Sequence, residues 1–262
     1  MNKYDRLSYT NHSISSMGNN VPICYNNKYI KFLGVKMVTS TIIELKNVSK
    51  KYGDKIILDN VSLKLNTGEL VIIKGISGAG KTTLLNILAF LETKDSGELF
   101  WKNQNIDILS SKEKKNIRRT EMGFIFQDFN LYENLTVEEN LEIFLSLATE
   151  MKKNEIQRQI KEYLDKFHME DRRKTYARLL SGGERQRVAV MRAFLINSSI
   201  VFADEPSANI DDENKRIIRD YLAELKIGGK SIIIVTHDDY YDKLADEIYV
   251  LKNGNLSEAS WG

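Results

Sequence analysis

The sequence predicts an α/β fold built on a mostly parallel sheet, and three features point there. Ile232–Thr236 is an uninterrupted apolar run, as expected of a strand covered on both faces in the middle of a parallel sheet. Gly75–Gly80 is a glycine-rich turn between a β-branched run, Glu69–Lys74, and a stretch with helical apolar spacing, Thr82–Leu91. From Ile42 onward, strand-like and helix-like segments follow one another with the punctuation of an α/β protein.

Taken in order, Ile42–Leu45 and Val61–Leu65 read as strands on their β-branched content, and Glu69–Lys74 as the strand that feeds the glycine-rich turn. Glu98–Trp101 and Gly123–Phe126 are further short strands. Between Val137 and Phe167 the pattern becomes helical and heavily charged, which suggests a separate helical lobe. Another helix follows Ser181, a buried strand covers Ile200–Ala203, and a helix runs from about Glu213 to Leu225. Lys252-Asn253-Gly254-Asn255 carries the Asn-Gly signal of a tight hairpin. Pro22 and Pro206 are the only prolines, so long helices are rarely broken.

Composition narrows the class. The 262 residues are 42% hydrophobic and 9% aromatic, enough for a sizeable core, which excludes wholesale disorder. A net charge of +2 argues against a dedicated nucleic-acid binder. No apolar run approaches the roughly 20 residues needed to cross a bilayer. The single cysteine, Cys24, permits neither an internal disulfide nor a Cys-based zinc site, and without a secretory signal the reducing cytosol is the expected compartment. Residues 1–41 differ from the rest, with five basic residues against Asp5 alone. They read either as a basic flexible arm that touches lipid or a partner, or as a disordered extension translated from an upstream start, since Met37 lies just before the first strand. Cys24, within it, is assigned no function.

Gly75-Ile76-Ser77-Gly78-Ala79-Gly80-Lys81-Thr82 has the residue spacing of a phosphate-binding loop. Its glycines let backbone N–H groups turn inward around a β-phosphate, and the next helix points its positive end at the same group. Lys81 is expected to bridge β- and γ-phosphates, the Thr82 hydroxyl to ligate Mg²⁺, and Thr83 to reach the α-phosphate. Ile200–Ala203 ends in Asp204 and Glu205. A strand ending in acids is by itself a common surface feature. Paired with the loop, the first acid reads as a holder of the Mg²⁺ shell and the second as the group that orients or deprotonates water.

Leu180-Ser181-Gly182-Gly183-Glu184-Arg185-Gln186-Arg187 opens as a helix capping box, Ser181 with Glu184 three residues on. A cap explains neither the Gly-Gly pair nor the Arg-Gln-Arg, and the segment closely resembles the signature motif of ATP-binding cassette (ABC) ATPases. The resemblance implies that Ser181, Gly182, Gly183 and Glu184 close over ATP held by a second, head-to-tail copy, in an ATP-sandwich dimer. Other landmarks of the family then fall in order. Tyr52 stands where these proteins stack an aromatic on adenine, and Gln127 resembles the glutamine that touches Mg²⁺ and water and links the core to the helical lobe. Ser207-Ala208-Asn209-Ile210-Asp211 resembles the loop by which the two copies sense each other, and His237 the switch histidine on the γ-phosphate. His12 and His168 match nothing.

The resemblance runs from about Ile42 to Glu258. It implies a P-loop NTPase (RecA-like) core with a mostly parallel sheet, an antiparallel β subdomain and a helical subdomain at about 128–180, all within an ATP-binding domain at 42–262. Glu205, His237, Gln127 and Lys81 are the implied catalytic group. ATP is assigned to Tyr52, Gly75, Ser77, Gly78, Ala79, Gly80, Lys81, Thr82 and Thr83, with the signature residues of the other copy, and Mg²⁺ to Thr82, Gln127 and Asp204. Further partners implied are an integral-membrane permease and no nucleic acid, which places the chain at the cytoplasmic face of the membrane. Gly123–Leu131 and Ala203–Asp211 look most like the macrolide-exporter, lipoprotein-release and antimicrobial-peptide-resistance subgroup. Ala177 and Ser198 replace frequent prolines, and Ser207-Ala208 a frequent Thr-Gly. Two roles are implied: an ATP-hydrolysing motor for a separate permease, or an ATPase that signals through a membrane partner without moving a substrate. A DNA-repair ATPase with the same head fold normally carries long insertions, whereas only about fifty residues separate Gln127 from Ser181.

Overall fold

The structure is a computed structural model that describes residues 40–208 and 210–259; the basic segment with His12, Cys24 and Met37, and Asn209 of the Ser207–Asp211 loop, lie outside the described residues. Two sheets organise the chain. One is antiparallel, in the order β2-β1-β4-β5, from β1 (Thr41–Tyr52), β2 (Lys55–Asn66), β4 (Ser96–Trp101) and β5 (Gln104–Asn105). The other has the order β10-β9-β3-β8-β7-β6, from β3 (Leu70–Lys74), β6 (Met122–Ile125), β7 (Ile200–Asp204), β8 (Ser231–Thr236), β9 (Glu247–Lys252) and β10 (Asn255–Glu258). All its pairings are parallel except the terminal β9–β10 hairpin. That hairpin turns at Asn253 and Gly254, both with positive φ (52° and 81°), as a two-residue Asn-Gly turn requires.

Every residue of β7 and β8 is buried, which is why these strands appear in the sequence as continuous apolar runs. Alternation along a strand divides the core in two. Val71, Ile73, Ile233 and Val235 join the antiparallel sheet and helix α1 (Lys81–Leu88) in one cluster. Leu70, Ile72, Ile232 and Ile234 face the other way, onto helices α3 (Val137–Ala148), α4 (Lys153–Lys166), α5 (Gly182–Leu195) and α6 (Asp212–Ile227). The lobe formed by α3 and α4 is tied back at buried Glu138, which pairs with Arg173 and Lys174. Asn140 holds the approach to α3 by donating to the carbonyls of Tyr132, Leu135 and Thr136.

Several boundaries differ from the sequence expectation. β1 begins at Thr41, one residue before the expected start of the domain, and runs on to Tyr52; β2 begins at Lys55 rather than Val61. The helix after the glycine turn stops at Leu88, because Phe90 adopts a left-handed conformation with φ 59°. The charged stretch from Val137 is two helices: α3 starts from a capping box of Thr136 with Glu139, and α4 starts where Glu155 accepts from the Lys152 backbone N–H. Helix α2 (Ser111–Glu121) had no signal in the apolar pattern. It has no buried residue, and its visible mark is the capping box of Ser110 with Glu113.

Candidate functional site

The C-terminal ends of four neighbouring parallel strands carry the residues of interest. β3 runs into Gly75–Gly80, β6 into Gln127, β7 into Glu205 and β8 into His237. In an open α/β sheet this edge is where ligands bind. A cleft of 600 Å³ opens there, with one wall from the turn and α1 and the other from Gln127, Asp204, Glu205, Ala208 and His237. Ser77, Gly78, Gly80, Lys81, Thr82 and Thr83 all reach it. Gly75 and Ala79 instead line an adjoining cleft on the far side of the turn, beside the Asn253-Gly254 hairpin.

The turn demands glycine at its last position. Gly80 has φ 101°, and a Cβ there would stand 2.9 Å from Ile57 Cγ2. Lys81 follows as the first residue of α1; its buried ammonium donates back to the carbonyls of Gly75 (2.9 Å) and Ile76 (3.3 Å) and lies 3.5 Å from Glu205 Oε1. A cation thus sits inside the loop, at the positive end of a helix with no acid in its first turn. These are the elements of an anion site.

Opposite, the Thr82 hydroxyl donates to Asp204 Oδ2 at 2.9 Å. Burial pushes the Asp204 carboxyl above its ordinary range; the Thr82 bond opposes the shift and the neighbouring Glu205 charge adds to it. Glu205 has φ 44° and is held from both sides of β8. Its backbone N–H donates to Val235 O, while Oε2 accepts from the Thr236 hydroxyl (2.9 Å) and Oε1 lies 3.0 Å from His237 Nδ1. His237 itself is largely exposed.

The donor set of Thr82 hydroxyl, Asp204 carboxylate and Gln127 amide is oxygen-based, which suits a hard cation such as Mg²⁺. A cation beside Asp204 would also offset the cost of ionising a buried acid. Among the described residues no group of three or more His, Cys, Asp and Glu could hold a metal by itself. The residues therefore fit a cation that takes its remaining ligands from phosphate and water, as Mg²⁺ commonly does.

Two groups of expected residues are not among those lining the cleft, although Tyr52 lies beside Thr83, which does line it. Tyr52 ends β1 with its ring half-exposed and its hydroxyl donating to the Glu92 carboxylate. Ser181, Gly182, Gly183 and Glu184 form the start of α5 and line neither cleft. The expected capping box is present: Ser181 Oγ accepts from the Glu184 N–H and Glu184 Oε2 accepts from the Ser181 N–H. Burial works against it, but hydrogen bonds from Arg172 and Ser181 hold the Glu184 carboxyl below its usual range. Gly183 is required by packing, since a Cβ would overlap the Asn214 amide of α6 at 2.3 Å. Ile57 and Thr236 were not singled out by the sequence. For Thr236 the one available signal is a hydroxyl closing an otherwise apolar strand just before a histidine.

The chain matches the family model described as ABC transporter over residues 58–208. It is 41% identical over 221 residues to an uncharacterized ABC transporter ATP-binding protein of Methanocaldococcus jannaschii, MJ1508, covering 83% of this chain and 98% of that one. The lipoprotein-releasing system ATP-binding protein LolD of Buchnera aphidicola is 37% identical over 224 residues, with 84% and 98% covered. The macrolide export ATP-binding/permease protein MacB of Pasteurella multocida is 35% identical over 84% of this chain, which spans only 34% of MacB. Among solved structures, the dimeric post-hydrolysis form of the ATP-binding cassette MJ0796 bound to ADP and Pi matches with a TM-score of 0.77 and 34% identity, over 84% of this chain and all of that one.

Proposed function

The chain belongs to the ABC transporter family and is an ATPase, and from that premise we propose that it is the motor subunit for a separate membrane permease. One observation carries the reading of the site: Lys81, Thr82, Asp204, Glu205 and His237 converge on one cleft from the ends of two strands, β7 and β8, and the helix after the glycine turn. Lys81 exchanges the carbonyls of Gly75 and Ile76 for β- and γ-phosphate oxygens, and the backbone N–H groups of the turn and α1 take the remaining charge. Thr82, Asp204 and Gln127 are the residues that would hold Mg²⁺, which supplies charge neutralisation on the phosphates when bound. Glu205 orients a water and accepts its proton as the new P–O bond forms, while the β–γ bridging oxygen leaves with ADP. His237, exposed beside Glu205, contacts the γ-phosphate. Tyr52 stacks on adenine, its hydroxyl tied to Glu92.

The site is shared. Ser181, Gly182, Gly183 and Glu184 stand outside the cleft of their own chain, and we assign them to the ATP of a second, head-to-tail copy. MJ0796, described as dimeric with ADP and Pi bound, supports that assembly. Among the described residues no helix is long and apolar enough to cross a membrane. We assign attachment to the cytoplasmic face to the permease, and the names of LolD and MacB favour export or extraction of a lipoprotein, peptide or antimicrobial. The test of the chemistry is Glu205→Gln, which keeps the shape and removes the base. ATP binding should persist while turnover falls by about 10²-fold or more. Turnover close to that of the parent would remove Glu205 from the role.

A further inference from the structure

Thr236 closes β8 and is fully buried. Its Oγ1 lies 2.9 Å from Glu205 Oε2 and accepts from the Asp238 backbone N–H at 3.0 Å. An N–H can only donate and an ionised carboxylate can only accept, so the direction of the chain is set. Asp238 N–H donates to the threonine oxygen, and the threonine hydroxyl donates to Glu205. Three groups touch this carboxylate, and they differ in kind. Lys81, 3.5 Å from Oε1, and His237, 3.0 Å from the same oxygen, both belong to the cleft and face the position assigned to phosphate. Thr236 is on the opposite oxygen and points at no ligand.

The main chain reinforces this arrangement. Glu205 has φ 44°, a left-handed conformation that a non-glycine residue adopts only when its surroundings impose it. Its N–H is held by Val235 O (2.9 Å) and its C=O by the Ala208 N–H (3.0 Å). Backbone and side chain of Glu205 are therefore both anchored on the last two residues of β8. We propose that Thr236 is a positioning residue for hydrolysis. Its hydroxyl pins Oε2, which keeps Oε1 turned into the cleft when Lys81 and His237 exchange Glu205 for the γ-phosphate. Without that bond the carboxylate is free to rotate at the step where its aim matters, and small misalignments of a reacting group lower rates steeply. The inference rests on the reading of Glu205 as the water-activating group.

The test uses the full-length protein with ATP-Mg²⁺, comparing Thr236→Val, which keeps the shape without the hydroxyl, with Thr236→Ser, which keeps the hydroxyl. Thr236→Val should lower kcat about tenfold or more while KM and ATP affinity stay within about twofold; Thr236→Ser should recover most of the rate. In a Glu205→Gln background, single-turnover hydrolysis should show no further loss from Thr236→Val, because the hydroxyl acts only through the carboxylate. A kcat for Thr236→Val within twofold of the parent overturns the proposal, as does an equal loss in the two serine and valine variants. The same fractional loss in the Glu205→Gln background would make Thr236 a fold element only. Urea unfolding midpoints identify a variant that fails to fold, and if valine does so, Thr236→Ala against Thr236→Ser gives the same contrast. Parent-like turnover in Glu205→Gln alone withdraws the underlying reading, a result distinct from any of these.

Discussion

Asp204 ends a strand buried along its whole length, beside Glu205, and among the described residues only the Thr82 hydroxyl bonds its carboxylate. Burial raises its pKa in the folded state. An acid shifted this way binds its proton more tightly when folded. Its contribution to stability is complete below the unfolded value of about 4 and is lost as pH rises through the raised one. Once ionised, the side chain therefore costs the nucleotide-free fold stability, as expected of a group kept for a cation. Asp204→Asn retains an acceptor for Thr82 and should raise the thermal midpoint without nucleotide at pH 7 by about 2–4 °C, the shift expected from ~1 kcal/mol at this size. The gain should shrink toward pH 4, and added ATP-Mg²⁺ should stabilise the variant less than the parent. A variant less stable than the parent at pH 7 would show that the ionised carboxylate is already compensated.

Helix α5 connects two parts of the proposed mechanism. Ser181 caps its first turn, and Arg192 in its last turn donates to the carbonyls of Asn130 (2.8 Å) and Phe129. Phe129 and Asn130 are consecutive residues with positive φ, 59° and 49°, two and three positions after Gln127. Burial brings the Arg192 guanidinium down to about 10, and its hydrogen-bond partners among the described residues are main-chain carbonyls rather than carboxylates. Its partners are carbonyl oxygens, so it serves as a latch on a strained turn. Arg192→Met keeps most of the apolar stem and removes the donors. We expect a loss of about 1–3 kcal/mol in urea unfolding and faster hydrogen exchange at the Phe129 amide, which now donates to Phe126 O. Unchanged exchange at Phe129 would mean that the turn holds itself. Helix α2, by contrast, is specified by its cap and charged surface rather than by an apolar stripe, which is why periodicity in the sequence passes over it.

Assembly is the property most distant from any single residue. If each chain holds two half-sites and no complete one, ATP links dimerisation to nucleotide by mass action. The parent should be largely monomeric in isolation, and Glu205→Gln with ATP-Mg²⁺ should trap a dimer because hydrolysis no longer releases it. Adding Ser181→Arg places a bulky side chain at the exposed start of α5 and should abolish the trap while ATP still binds its own loop. Light scattering at matched concentrations decides. A dimer that survives Ser181→Arg would take the signature helix out of the interface.

What the sequence determined by itself are features whose physics is local. The glycine turn is legible because a left-handed backbone such as Gly80's (φ 101°) favours glycine; β7 and β8 are legible because burial on both faces leaves continuous apolar runs; the start of α5 is legible because its capping box spans only Ser181 to Glu184. Only the tertiary structure decided the strand order that brings residues 81, 204, 205 and 237 to one edge, through the parallel pairing of β3 with β8 and β8 with β7. It also decided that Thr236 reaches Glu205, that Arg192 reaches the turn after Gln127, and that the charged lobe divides after Ala148. The reason is range. Periodicity, caps and backbone conformation act over a few residues, whereas contacts between distant segments are selected only when the sheets and helices close together around the two clusters of the core.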